Sequence, residues 1–451
     1  MHPIVTLSHC ASAFAEGVTS SHELVDQALE RIASPQGEGA RVFTRVYAEA
    51  ARQSAVVSDM LLAAGQARSS IEGLPISVKD LFDVAGDTTQ AGSVALQGHP
   101  AATADAVAVQ RLKAAGAVIV GRTNMTEFAF SGLGINPHFG TPLNPWDRAT
   151  GRIPGGSSSG AAVSVADGMA LAGLGSDTGG SLRIPAALCG LIGFKPTASR
   201  VSSKGALPLS TSLDSIGAIA PSVACCAQLD AILSGEVSTV LRPASLKGLR
   251  LAVPSTLVMD GVDAQVAHSF ERALACLSAL GAVVQELAVP AFARLASINA
   301  KGGLIAAEAW AWHRELLASS SPRYDPRVSS RIQRGQAISA ADYIDVLNAR
   351  TAWIAEVQAQ MADHDALVMP TVPVIAPKLA ETAASDEVYT QTNLLMLRNP
   401  TLINFLDGCA ISLPCHRPGD APVGLMLAAP RLHDQRLLSI SLAVEAALHG
   451  A

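Results

Sequence analysis

Ala114-Ala115-Gly116-Ala117-Val118-Ile119-Val120 reads as a helix end that passes through a glycine into a β-branched strand. The same idiom returns as Ala279-Leu280-Gly281-Ala282-Val283-Val284, and Leu74-Pro75-Ile76-Ser77-Val78 is another short apolar strand, followed by a helix near Asp105 to Ala115. Strands of this kind alternate with helices from Gly73 to about Pro196. The alternation predicts an α/β fold built on a large mixed, mainly parallel twisted β-sheet covered by helices on both faces.

Outward from this core, residues 1–70 read as a helical arm. One amphipathic helix opens at Ser20, with Glu23 three residues on as a capping-box partner, and a second runs from about Tyr47 to Ala64. Residues 71–235 hold the alternating core. A polar connector covers about Ser234 to Lys247, and 299–363 is a helical insertion interrupted around Ser319 to Arg327. Strand texture resumes at Ala366 to Val374 and at Ala410 to Leu413, and Asp434 to Leu448 closes the chain as an amphipathic helix. Strands that return after an insertion favour one domain over 1–451, although length alone would allow about three.

The 451 residues are 49% hydrophobic, 16% charged and 4% aromatic, too apolar for disorder and poor in side chains that stack on bases. The net charge of −6, with no stripe of Lys or Arg, argues against direct nucleic-acid binding. Seven cysteines, odd in number and without paired C-x-x-C spacing, read as reduced thiols of a cytoplasmic protein. The most apolar stretch, Ala161 to Gly175, is broken by Asp167, and the start of the chain lacks a basic segment ahead of an apolar one. Neither a membrane span nor a signal peptide is expected.

Between Ile153 and Pro196, glycine and serine crowd together within apolar flanks. The first cluster is Gly155-Gly156-Ser157-Ser158-Ser159-Gly160, and the second is Gly175-Ser176-Asp177-Thr178-Gly179-Gly180-Ser181, with Arg183 just beyond. Adjacent glycines let successive N–H groups converge into an anion-binding nest. Thr178, Gly179 and Gly180 would supply such donors beside Ser181, which opens a run to Leu188 able to begin a helix. A serine nucleophile needs a base. His138, the histidine nearest this segment, lies in the ordinary loop Asn136-Pro137-His138-Phe139-Gly140. Lys79 fits better: it ends the 74–78 strand, where parallel sheets carry functional groups, and burial there would draw its pKa from about 10.4 toward neutrality. The plainer alternative is an ammonium paired with Asp80 or Asp83.

Taken together these residues resemble the amidase signature family, whose core motif sets a Gly-Gly-Ser-Ser element 24 residues before a second Gly-Gly-Ser. Ser157 and Ser181 have this separation. Gly73-Leu74-Pro75-Ile76-Ser77-Val78-Lys79-Asp80 is similar to the family's lysine strand. Gly121-Arg122-Thr123-Asn124-Met125 and Asn144-Pro145 are similar to its loops, and Pro422-Val423-Gly424-Leu425 to its late strand, so the likeness runs from about Ser20 to Leu448. It implies the amidase signature fold and a Ser-Ser-Lys triad. In that triad Ser181 is the nucleophile, Ser157, preceded by a cis peptide from Gly156, relays protons, and neutral Lys79 is the base. The implied reaction is hydrolysis of a carboxamide to the acid and ammonia or an amine through an acyl-enzyme. The oxyanion would be held by N–H groups of Thr178, Gly179, Gly180 and Ser181.

Asp177 reads as a brace for the second cluster. Arg183 would pair with it, face the interior, or meet a substrate carboxylate. The Met125 to Gly134 loop, the 299–363 insertion and the stretch near Asn404 are expected to build the acyl pocket. Met125, Phe128 and Phe130 are candidate substrate contacts, although aromatics at this spacing also suit a core. No cofactor and no metal is implied, since H-E-x-x-H, Walker and G-x-G-x-x-G patterns are absent from the sequence. Two other readings stand beside this one. Gly156-Ser157-Ser158-Ser159-Gly160 fits the G-x-S-x-G elbow of α/β-hydrolase esterases, which would make Ser158 the nucleophile. The glutaminase component of a tRNA-dependent amidotransferase, its A subunit, shares the same family core. Partners are accordingly a small-molecule amide and either a second copy of the chain or the other amidotransferase components. Aryl amides, indoleacetamide-type amides, small dicarboxylic monoamides and carboxybiuret-like compounds all suit the chemistry.

Overall fold

Residues 5–236 and 241–449 are described by the structure, a computed structural model. Residues 1–4 of the arm, the centre of the polar connector (237–240) and 450–451 lie outside the described residues. Eleven strands form one sheet: β1 (Phe43–Val46), β2 (Pro75–Lys79), β3 (Val118–Thr123), β4 (Ala172–Asp177), β5 (Ile192–Lys195), β6 (Ser215–Ala220), β7 (Arg250–Pro254), β8 (Val283–Leu287), β9 (Ala366–Pro370), β10 (Cys409–Pro414) and β11 (Gly424–Ala429). Their order is β1-β3-β2-β4-β6-β5-β10-β11-β9-β7-β8.

The sheet is mixed and wrapped by helices, as expected, but parallel pairing is confined to β3-β2-β4 and β9-β7-β8. From β4 through β6, β5, β10 and β11 to β9, and again at β1-β3, every pair is antiparallel. The expected predominance of parallel pairs is therefore corrected. β5 and β6, and likewise β10 and β11, follow one another as antiparallel neighbours joined by loops, without the crossover helix that parallel pairing requires. The arm also differs from its reading. Besides helices Ser21–Ala33, capped by Ser20 and Glu23, and Ala48–Ala63, it supplies the edge strand β1, whose four residues are too short to show a period. In the insertion, helix Gly303–Ser320 is followed by a turn at Ser321–Arg323 and then by helices Pro326–Gln333 and Ala340–Met361.

Both faces of β2 are covered, so all five of its residues, the polar Ser77 and Lys79 included, are buried. One covering helix, Ser159–Ala166, is made of Ser, Gly, Ala and Val and is buried along its entire length. It lies close to β4 because Gly173 and Gly175 leave room. A Cβ at Gly173 would come within 2.9 Å of the Ala161 methyl, and one at Gly175 within 2.9 Å of Ser158 Oγ. Each fully buried Val of this helix contributes roughly 1.5–3 kcal/mol. Among the described residues, no helix is long and apolar enough to cross a membrane.

Candidate active site

The parallel register of β2 with β4, Val78 opposite Leu174, sets the carboxyl ends of both strands side by side. Lys79 leaves the end of β2 fully buried, and its Nζ donates to Ser157 Oγ at 2.7 Å and to Ser176 Oγ at 2.9 Å. Burial pulls the amine down to about 7, against the charges of Asp177 and Asp214, which hold it up. The ion-pair alternative is not what the chain adopts. Asp80 is bound by Arg122 Nε at 2.7 Å, and Asp83 accepts from Thr89 Oγ1 at 2.6 Å.

Ser157 follows a cis peptide from Gly156. Its carbonyl accepts from Thr126 N–H at 3.0 Å, and the Gly156 N–H is bound to the Gly132 carbonyl at 2.8 Å. The second cluster abuts the first, since Ser158 N–H donates to the Ser181 carbonyl at 3.3 Å. Asp177 organises the turn to Ser181. Its carboxylate accepts Gly180 N–H at 2.8 Å and Leu182 N–H at 3.1 Å, Arg183 Nη2 at 2.9 Å and Nε at 3.0 Å, and Asn404 Nδ2 at 2.9 Å. Burial would raise this carboxyl, but the Arg183 guanidinium holds it well below the usual range. The N–H of Gly180 is thus taken by Asp177, whereas those of Thr178, Gly179 and Ser181 are bound to no group among the described residues. Such a turn can bind an anion through those main-chain donors.

The Amidase family matches residues 23–438 of this chain. The protein belongs to the amidase family. It is 37% identical over 404 residues to 2-amino-5-chloromuconic acid deaminase of Comamonas testosteroni, covering 88% of this chain and 86% of the relative. It is 33% identical over 468 residues to the A subunit of the glutamyl-tRNA(Gln) amidotransferase of Symbiobacterium thermophilum, covering 96% and 94%. A crystal structure of an amidase superposes with a TM-score of 0.88 at 33% identity over 98% of this chain and 99% of the other. This amidase is accordingly an amidohydrolase acting on C–N bonds.

The other expected contacts of the amidase differ in their surroundings. Arg183 is fully buried and bound to Asp177 and to Asn404 Oδ1 at 2.6 Å, so it faces the interior and not a substrate carboxylate. Asn404, expected at the pocket, sits in the same buried cluster. Met125 is buried next to Thr126, whose N–H binds the Ser157 carbonyl, and Phe128 packs into an aromatic core with Trp312, His313 and Tyr324 of the insertion. Phe130 is partly exposed beneath the Arg331 guanidinium, 5.4 Å from its ring centroid, and is the member of the set that keeps an open face. His138 is bound to Glu127 at 2.8 Å, a loop contact. Ser158 follows no strand. It stands at the N-cap position of the buried helix, and its hydroxyl donates to the Ser176 carbonyl at 3.4 Å, which removes the elbow reading. Ser176, the second partner of Lys79, has no role in the sequence reading because only the pairing of β2 with β4 brings the two strand ends together.

Proposed function

We propose that this chain hydrolyses a linear carboxamide through an acyl-enzyme at Ser181, with Ser157 as proton relay and Lys79 as base. The observation that carries the reading is the 2.7 Å hydrogen bond between Lys79 Nζ and Ser157 Oγ in a buried setting that favours the uncharged amine. Ser181 Oγ attacks the amide carbon while its proton passes to Ser157 and the Ser157 proton passes to Lys79. The carbonyl oxygen takes the electron pair as an oxyanion, facing the N–H groups of Thr178, Gly179 and Ser181; one such donor is worth about 3 kcal/mol. When the C–N bond breaks, the relay runs backward and protonates the departing nitrogen, releasing ammonia or an amine. Water, deprotonated along the same relay, then attacks the ester. The C–O bond to Ser181 breaks, its oxygen regains a proton, and the acid leaves.

The continuous sheet supports a single amidase domain over 1–451. The odd number of cysteines and their lack of paired C-x-x-C spacing support the cytoplasm. Similarity to a relative named as a deaminase of a small organic acid supports a free-standing enzyme acting on a small molecule. The amidotransferase reading keeps support from a likeness that spans nearly the whole chain. Both are decided by assaying the purified chain alone for ammonia release from a panel of carboxamides and from glutamine. Release from simple amides without a second protein fits the first reading; activity confined to glutamine and dependent on a partner fits the second. In either assay Ser181→Ala is expected to abolish turnover and Lys79→Ala to reduce it by about 10³-fold or more, and full activity in either variant would sink the triad. The rate should fall as pH drops below about 7, because the lysine acts only when unprotonated.

A further inference from the structure

We propose that Asp214 is a positioning residue of this site: its carboxylate tethers Thr178 at the start of the 178–181 turn and places a negative charge toward the Lys79 amine. The inference rests on the acyl-enzyme reading above. Asp214 immediately precedes β6, whose first residue, Ser215, pairs with Asp177 at the end of β4, and this antiparallel register lays Asp214 beside Thr178. Thr178 Oγ1 donates to Asp214 Oδ1 at 2.5 Å, and the same carboxylate accepts Leu209 N–H at 3.0 Å and Ser210 N–H at 3.1 Å. Asp214 also lines a cavity of about 40 Å³ with Ser176, Thr178, Leu81, Ala129 and Leu207. One wall of that cavity is therefore Ser176, whose hydroxyl holds Lys79.

Two carboxylates act on Lys79, and they differ in kind. Asp177 is neutralised by Arg183, which grips both of its oxygens. The carboxylate of Asp214 meets only a hydroxyl and two amides, with no cationic side chain in salt-bridge contact among the described residues. Of the other charges on the neighbouring strands, Asp80, next on the chain, is held by Arg122 of β3, and Lys195 of β5 donates to the Pro196 carbonyl at 2.7 Å and to Ser215 Oγ at 3.1 Å. On its far side Asp214 faces Glu308 of helix Gly303–Ser320, which accepts from Ser210 Oγ at 2.5 Å and from Tyr343 OH at 2.8 Å, while Arg350 donates to the Ser212 carbonyl. Burial and the Glu308 charge push Asp214 up to about 6, so it is ionised in the range where Lys79 loses its proton. Removing the Asp214 charge should let the amine stay neutral to lower pH. Removing the Thr178 hydroxyl should loosen the turn and leave the amine's titration in place.

The test needs no knowledge of the natural substrate. Inactivation of the full chain by phenylmethylsulfonyl fluoride is followed from pH 5 to pH 9 by intact mass, with Ser181→Ala as the control for the labelled site. In Asp214→Asn the acidic limb should move down by about one pH unit relative to the unsubstituted chain. In Thr178→Val the limb should stay and the plateau rate should fall by about tenfold or more, and Thr178→Ser should restore it to within about threefold. A superimposable pH profile for Asp214→Asn, or an unchanged rate for Thr178→Val, overturns the proposal. Should Asp214→Asn not fold, the Thr178 pair decides. Absence of any label on Ser181 in the unsubstituted chain removes the acyl-enzyme reading, a result distinct from labelling with an unmoved limb.

Discussion

Asp177 and Arg183 form a buried pair in which the carboxylate also holds Gly180 and Leu182, so the two residues stabilise the fold and shape the 178–181 turn together. Replacing Asp177 with Asn leaves the guanidinium buried without its counter-charge, and the expected loss is about 3–5 kcal/mol, read from denaturant midpoints. The pH dependence follows from the depressed carboxyl. Its stabilisation is fully present above the unfolded carboxyl pKa of about 4 and is lost as pH falls below that value toward the folded pKa, so acid sensitivity should diminish in the Asn variant. An Asn variant as stable as the parent would mean that the pair contributes little. At this scale the sequence was informative where a residue is out of keeping with its neighbours. Lys79 stands out as a lysine ending an apolar strand, and Ser157 and Ser181 stand out through adjacent glycines. Ser176 and Asp214 look like ordinary strand and loop residues, and their proximity to Lys79 arises from pairing between strands.

Helix Ser159–Ala166 and strand β4 meet through small residues, and the helix begins beside Ser157 and Ser158. Gly173 is the contact point, with only 2.9 Å from an added Cβ to the Ala161 methyl and 3.1 Å to the Ala161 carbonyl. Gly173→Val is therefore expected to push the helix off the strand, lower stability by about 1–3 kcal/mol in thermal unfolding, and cut turnover more than substrate affinity, because Ser157 shifts against Lys79. Equal turnover and an unchanged thermal midpoint would show that the interface gives way without cost. Elements with a long period or a cap were legible: the Ser20 box, helix Val107–Ala114 and helix Asp434–His449 lie close to their expected positions. Strand β1 and the antiparallel centre of the sheet were not, because four residues carry no period and strand direction depends on how connections run in space.

Across the whole molecule, the helical insertion reaches back to the loop before β6 through Glu308 and Arg350. Glu308 takes the Ser210 hydroxyl, the Ser212 N–H and hydroxyl, and the Tyr343 phenol, binding the loop that carries Asp214 to helices Gly303–Ser320 and Ala340–Met361. Glu308→Ala should speed hydrogen exchange of the 209–214 amides and lower stability by about 1.5–3 kcal/mol, since hydrogen bonds to a charged group are lost. Unchanged exchange there would mean the loop is held by its own turn. Sequence alone determined the alternation of strands and helices, the Gly/Ser-rich clusters and the lysine at the end of an apolar strand, because each is written in local period, glycine placement or a polar group among apolar ones. Tertiary structure alone decided that antiparallel pairs prevail, that Arg183 and Phe128 belong to the interior, and that Ser176 and Asp214 stand near the lysine. Those facts depend on which strands become neighbours and in what register, and burial and charge take their values only after distant segments have packed.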